Sequence, residues 1–429
     1  MNGESKIKIN MKAPLKERKF WDVIVIGGGA SGMMAAGTAA KRGKSVLLLE
    51  KNSTLGKKLL ITGGGRCNVT NNKKDTRTLL SEYKGNDKFL FSAFSKFSVE
   101  DTLNFFNSRG VKTKEENEGR IFPASNKAED IFNVLYKYLG ESNVTIQSDS
   151  PVVSVTKEKE GEYFVVKVKK GETVFAKACV IATGGVARPE TGSTGEGFTW
   201  LEKLGHTVIA PDLALIPIAL KDKWPKKLSG LTLPDIKITT FLDDIKQEVH
   251  KGKILFTHVG LTGPTILNMS RDIGELLKYG SVKMEIDLFP HLDHGALRAQ
   301  LQRLLVEQSN KKLKNVLSIL IPGSVVGPLL ELASIDGETF AHSVKTEDRK
   351  KLVDQMKSIF LSVKGLLSED KAVVSSGGVE LKEVNFKTME SRVVPQLYLI
   401  GDVLNVDRPS GGYSLQLCWT TGFVAGSNC

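Results

Sequence analysis

One stretch constrains this chain more than any other. Phe20-Trp21-Asp22-Val23-Ile24-Val25-Ile26 runs into Gly27-Gly28-Gly29-Ala30-Ser31-Gly32, then a small-residue run to Lys41, then Gly43 and Ser45-Val46-Leu47-Leu48-Leu49-Glu50. The first segment is β-branched and apolar on both faces, as a strand buried inside a parallel sheet must be. A glycine turn, a helix with Ala35, Ala36, Ala39 and Ala40 on it, a glycine stop and a second apolar strand complete a βαβ unit. Gly27-x-Gly29-x-x-Gly32 alone is a weak signal. Between a buried strand and a helix, with Glu50 lying 18 residues past Gly32 at the end of the next strand, it meets the requirement of a dinucleotide fingerprint. Gly27 permits the tight turn, Gly29 lets backbone approach a pyrophosphate, and Gly32 lets helix and strand pack. Ala30 and Ser31 open the helix, whose unpaired N–H groups favour phosphate. The Glu50 carboxylate accepts from ribose hydroxyls and repels a 2′-phosphate, so FAD or NAD is expected.

Later segments decide between those two. Ala178-Cys179-Val180-Ile181 is another buried strand, running into Ala182-Thr183-Gly184-Gly185. Leu397-Tyr398-Leu399-Ile400 ends in Gly401-Asp402. Three strand-end turns in this order are what two-motif flavoproteins use: Gly401 lets backbone come close, and Asp402 takes a ribityl hydroxyl. FAD is favoured. Between these landmarks, 87–139 is helical with a break at Arg120 to Pro123, and 144–174 alternates as hairpin strands. From about Gly205 the pattern changes: strand-like stretches at 207–218, 236–242 and 282–288, helical ones at 295–309 and 344–361. The expected fold is α/β. A Rossmann-like FAD-binding domain with a parallel sheet, residues 1–204 and 368–429, is interrupted by a β-rich plus helical insert, a substrate or cap domain, at 205–367. The last helix is expected near 415–426, and residues 1–20 as a flexible leader.

Composition enters by exclusion. At 429 residues and 41% hydrophobic, the chain can bury more than one full core. The four cysteines, Cys67, Cys179, Cys418 and Cys429, form no CxxC pair and no Cys/His cluster, so a reduced cytoplasmic protein without a metal centre is expected. No apolar run reaches the roughly 18 residues of a membrane span. Lys+Arg 60 against Asp+Glu 48 leaves a net charge of +12, spread along the chain without stacking aromatics, so a nucleic-acid partner is not expected.

Several stretches resemble signatures of one bacterial flavoprotein family: Thr62-Gly63-Gly64-Gly65-Arg66-Cys67-Asn68-Val69-Thr70-Asn71, Gly119-Arg120-Ile121-Phe122-Pro123, Thr191-Gly192-Ser193-Thr194-Gly195, Leu255 to Pro264, and Ser410-Gly411-Gly412-Tyr413-Ser414-Leu415-Gln416. From Trp21 to Gly426 the chain is similar to the BaiN-type, or aminoacetone-oxidase-type, NAD(P)/FAD-dependent oxidoreductases. The resemblance implies FAD held by Ala30, Glu50 and Lys51 at the adenosine and phosphate end. Lys58, Gly64, Gly65, Arg66, Cys67 and Asn68 would lie along the pyrophosphate and flavin, and Val152 or Val153 would give a backbone contact to adenine. Ala182, Thr183 and Gly184 would line the middle, with Gly401, Asp402, Gly412, Tyr413, Ser414 and Leu415 at the ribityl chain and ring. His258 and Tyr413 are the catalytic candidates, the first for proton transfer and the second for orienting substrate. The chain departs from the family pattern at Ala187-Arg188-Pro189, where Ser-Tyr-Pro is usual. It departs again at Gly401-Asp402-Val403-Leu404-Asn405 for Gly-Glu-Val-Leu-Asp, and at Arg408-Pro409 for a pair that often contains glycine. The implied activity is two-electron reduction of a small organic substrate, with NADH or NADPH as a transient donor. Alternatives are an amine oxidase using oxygen, a tRNA-modifying flavoenzyme and a non-enzymatic flavin-binding protein.

Overall fold

The structure, a computed structural model, describes residues 20–73, 75–83, 86–158, 162–169, 171–367 and 374–429. The expected leader therefore lies, but for Phe20, outside the described residues. The chain divides into two compact units, Met1–Leu213 with Val373–Cys429, and Ala214–Ala372, each with its own apolar core.

The first unit is built on a nine-stranded sheet. Its parallel centre runs Leu397–Leu399, Thr173–Ile181, Phe20–Ile26, Val46–Leu49, Thr145–Gln147. Register brings the strand ends level: Ile26 pairs with Leu49 and with Ile181, and Leu399 with Ile181. Three glycine turns, after Ile26, Ile181 and Ile400, thus leave the sheet on one edge. That is where ligands bind in open α/β sheets. Antiparallel strands extend the sheet on the side of Thr173–Ile181 that faces away from Phe20–Ile26.

The helix Ala30–Lys41 and the last helix, Tyr413–Asn428, pack side by side. A Cβ on Gly422 would lie 2.5 Å from the Ser31 carbonyl oxygen, and one on Gly426 equally close to that of Ala35. Only glycine allows this approach, which sets the start of the first helix against the second half of the last one. The last helix begins two residues earlier than its apolar pattern indicates. It is tied by Gln416, whose Oε1 accepts from Thr70 Oγ1 at 2.6 Å, and by Trp419 Nε1, which donates to Val69 O at 2.9 Å.

The second unit is a closed antiparallel barrel in the order Ile218–Leu220, Gly260–Thr262, Ile245–Phe256, Thr232–Leu242, Val282–Asp287, Ile359–Leu366, with helices that include Pro264–Leu276, His294–Glu307 and Thr346–Lys357. Two expectations need correction here. The helical stretch at 344–361 ends at Lys357; Ile359, Leu361 and Val363 then alternate inward as a barrel strand. The strand at 236–242 is one arm of a hairpin reaching Phe256. Its turn, Asp243-Asp244, has positive φ at both residues (44° and 67°), the geometry that matches strand twist in two-residue hairpins.

Candidate active site

A cleft with about 1180 Å³ of empty space, including its mouth open to solvent, lies along the glycine-turn edge of the first unit. At one end sits Glu50, 8% exposed. Its Oε2 accepts from the Gly28 N–H at 2.7 Å, and its Oε1 from the Asn52 N–H at 2.8 Å and Nδ2 at 2.7 Å. The carboxylate is thus held oriented, with acceptor capacity left over, as a ribose diol requires. Val152 and Lys51 also line this end, Lys51 donating to Thr194 Oγ1 at 2.6 Å and pairing with Glu196 at 2.7 Å.

The middle is made of backbone. Gly27 sits at φ 108°, and a Cβ there would lie 2.4 Å from the Ala182 carbonyl oxygen. A Cβ on Gly32 would meet the Gly27 carbonyl oxygen at 1.9 Å, so strand end and helix start touch without side chains between them. Gly29 is different: its Cβ direction points into space with no heavy atom within 4 Å. Ala30 and Ser31 begin a helix with no acidic residue in its first turn, so its free N–H groups face that space as a positive end. Opposite lie Ala182, Thr183 and Gly184; the Thr183 hydroxyl is buried without a hydrogen-bond partner among the described residues.

The far end is charged. Lys58 Nζ lies 3.2 Å from Asp402 Oδ2 and 3.5 Å from Ser193 Oγ. Burial pushes the Asp402 carboxyl up, but the Arg408 and Lys58 charges outweigh it, and the group sits below the ordinary carboxylate range. Ser414, Leu415 and Cys418 complete this wall from the first turns of the last helix, which also carries no acid at its start. Burial pushes the Cys418 thiol up to about 12, so it is a neutral wall group.

The other sequence candidates sit around the cleft or apart from it. Gly32 and Gly401 are behind the wall, Gly401 packed on Ser31 and donating its N–H to Thr421 Oγ1 at 3.1 Å. Gly64 and Gly65 form a left-handed turn, and Arg66 pairs with Glu116 and Asn126 while lying 4.1 Å over the Phe122 ring. Cys67 is buried, and its thiol is pushed up to about 12 by burial, with the Thr62 hydrogen bond acting against the shift. The Asn68 amide, turned to suit its neighbours, donates to Ile121 O and Thr70 O and accepts from the Gly412 N–H at 3.0 Å. Val153 is exposed, its neighbour Val152 being the one on the cleft. Tyr413 is buried edge-on to Tyr83, whose hydroxyl donates to the Tyr413 carbonyl at 2.9 Å. His258 is exposed on the bend between two barrel strands of the second unit. Sequence reasoning did not name Asn52, Ser193 or Arg408 as site residues, although Ser193 stands in a quoted signature stretch.

The glycine edge, the oriented carboxylate and the open phosphate position fit FAD, and the comparisons agree. The HI0933-like protein Rossmann domain family matches residues 21–428. This chain belongs to that family. Among curated relatives of this HI0933-like protein, the 3-dehydro-bile acid delta(4,6)-reductase of Clostridium scindens is 32% identical over 87% of this chain and 89% of its own length. The ribosomal RNA dihydrouridine synthase of Escherichia coli K12 is 31% identical over 86% and 88%. Two solved structures share the fold, each with a TM-score of 0.53: the 3-ketosteroid-delta4-(5alpha)-dehydrogenase of Rhodococcus jostii RHA1 (15% identity, 96% of this chain, 98% of that one), and the 3-ketosteroid delta1-dehydrogenase of Sterolibacterium denitrificans (14%, 95% and 98%). The HI0933-like chain is an FAD-dependent oxidoreductase, with the Rossmann-type FAD domain expected from its first βαβ unit. No helix among the described residues is long and apolar enough to cross a membrane.

Proposed function

We propose that this enzyme takes electrons from NADH or NADPH and saturates a carbon–carbon double bond conjugated to a carbonyl in a small organic substrate. The observation that carries the reading is the single cleft running from the Glu50 carboxylate, past the open Gly29 position, to the start of the last helix. Bound FAD supplies a two-electron relay between donor and acceptor. Around it, Glu50 accepts from ribose hydroxyls, the helix start at Ala30 receives the pyrophosphate, and Asp402 accepts from the ribityl chain. Gly64, Gly65, Arg66, Cys67, Asn68 and Gly412 remain assigned to the flavin end, Tyr413 to orienting substrate and His258 to proton transfer. Support for the acceptor class comes from the relatives' names. A 3-oxo steroid with a 4,6-diene and the uracil ring of uridine both present a C=C conjugated to C=O, the bond type that accepts hydride at its far carbon. We assign the enzyme to the cytoplasm and the insert, expected at 205–367, to a domain of its own, its compact part being Ala214–Ala372.

A second acceptor, a uridine within ribosomal RNA, is favoured by the Escherichia coli relative's name. Anaerobic visible spectra of the purified protein, titrated first with NADPH and then NADH, test the donor. Bleaching of the yellow colour by either is expected. The bleached enzyme is then offered a 3-oxo-4-ene steroid or a uridine-containing ribosomal RNA fragment. Return of colour with the steroid supports the small-molecule reading. Return with the RNA alone replaces it by the RNA reading, and a protein that stays yellow with both nicotinamides removes the reductase reading in favour of an oxidase.

A further inference from the structure

Behind the charged end of the cleft lies a cation that no cofactor-binding pattern in the sequence pointed to. Arg408 stands between the short helical turn Gly401–Val403 and the last helix, and its side chain is wholly buried. Its Nε donates to Ser414 Oγ at 3.0 Å, Nη1 donates to Val406 O at 2.6 Å, and Nη2 is ion-paired with Asp402 Oδ1. Arg408 itself does not line the cleft, but two of its partners, Asp402 and Ser414, do.

The chemistry of a guanidinium makes this arrangement directional. It only donates, and it stays protonated at any pH the protein meets. A serine oxygen that receives Nε–H keeps its own O–H to give, and Ser414 lines the cleft. Asp402, paired with Arg408 through one oxygen and Lys58 through the other, is held as an anion whose spare lone pairs face the same space. A buried charge is costly unless paired and hydrogen-bonded, and a core staple would be served as well by an apolar side chain. The fork of an arginine is suited to fixing two neighbours at once.

We propose that Arg408 is a positioning residue for the flavin: it sets Ser414 as a donor and Asp402 as an acceptor toward the bound cofactor, and places a permanent positive charge behind the start of the last helix. This rests on the FAD reading above. A positive charge there favours the added electrons, so its removal makes the flavin potential more negative.

The test uses the full chain, stripped of flavin and titrated with FAD, with affinity read by flavin fluorescence, potential by dye equilibration and stability by thermal melting. Arg408→Met is expected to weaken FAD binding about tenfold, the equivalent of losing one hydrogen bond to a charged group, and to move the potential to a more negative value. Arg408→Lys returns the charge without the fork. It is expected to restore the potential while leaving affinity about threefold weak. Should Arg408→Met not fold, Ser414→Ala takes its place beside Arg408→Lys, with FAD binding about fivefold weaker and melting unchanged. Wild-type affinity and potential in the variants, with only the melting temperature lowered, would overturn the proposal and leave Arg408 a core staple. A wild-type protein that takes up no FAD fails the cofactor reading itself, before any variant is compared.

Discussion

The two units bury charge in opposite ways. In the barrel unit, Asp287 is 1% exposed, and its needs are met on the spot. Oδ1 accepts from the Phe289 N–H at 2.9 Å, while Oδ2 faces Lys357 at 2.7 Å and Lys237 at 3.3 Å. The three donors of Lys357 go to Asp287, Phe289 O and Leu292 O, all within 2.7 Å. The donors of Lys357 are all spent inside the unit, and the pair clasps strand to loop. In the FAD unit, Glu50, Asp402 and Lys58 are fixed by neighbours, the Thr183 hydroxyl is buried without a partner among the described residues, and all four line one cleft. A buried polar set that closes on itself is architecture. One left open on a common space is a ligand site.

The hardest blow to this comparison is aimed at the clasp. Lys357→Met leaves Asp287 buried with, among the described residues, only the more distant Lys237 for an ion-pair partner, and a broken buried pair costs about 3–5 kcal/mol. Urea unfolding of the variant should show that loss in the barrel unit while FAD affinity holds. A matching loss of FAD affinity would mean the clasp is not merely architecture. Next come two glycines of near-equal tightness. Gly32→Ala and Gly260→Ala each drive a methyl to about 2 Å from a backbone oxygen, of Gly27 and Ile218 respectively, and each should destabilise by about 3 kcal/mol. Only the first should abolish FAD retention, as read by the flavin absorbance of the purified protein. Equal loss in both would erase the distinction.

Glu50→Gln probes the open set directly. The amide must turn an NH₂ toward a backbone N–H that now meets a carboxylate oxygen. FAD affinity is expected to fall between about tenfold and a hundredfold, the range for hydrogen bonds to charged groups. Retention of full affinity in a fluorescence titration would remove Glu50 from the adenosine end.

What the sequence disclosed follows from how local each feature is. The turn from Gly27 to Gly32 and Glu50 were legible because strand, turn, helix and acid repeat a fixed spacing. Asp402 was legible because a glycine-acid pair closes an apolar strand. Arg408 was not, since an arginine in a Pro- and Gly-rich loop reads as surface charge; only the fold brings Asp402 and Ser414 to either side of it. Two of the departures from the family pattern, Asp402 and Arg408, thus turn out to be partners. The closed barrel was hidden for another reason. Residues 245–249 are exposed on both faces, with polar Lys246, Gln247 and Glu248 between exposed Ile245 and Val249, so the alternation that marks a half-buried strand is missing. The Asp243-Asp244 turn was the available signal.

The mildest effect separates the units by pH. His206 of the FAD unit has a fully buried side chain, with Nδ1 2.9 Å from Glu383 Oε2 and Nε2 2.9 Å from Ser391 Oγ. Ser391 Oγ already accepts from the N–H groups of Val393 and Val394, so its own hydrogen points at Nε2. That contact requires a neutral ring protonated at Nδ1. Burial accordingly holds the His206 pKa below 6.5, outweighing the pull of Glu383. With the folded value depressed, the unfolded chain takes up the proton first. The stabilisation is complete above pH 6.5 and is lost as pH falls through the folded value. Hydrogen-exchange protection of the FAD unit, taken relative to the intrinsic exchange rate at each pH, should therefore fall on acidification from pH 7 to pH 5, and His206→Gln, which has no proton to gain, should flatten that response. A response of unchanged slope in the variant would place the acid sensitivity elsewhere in the unit.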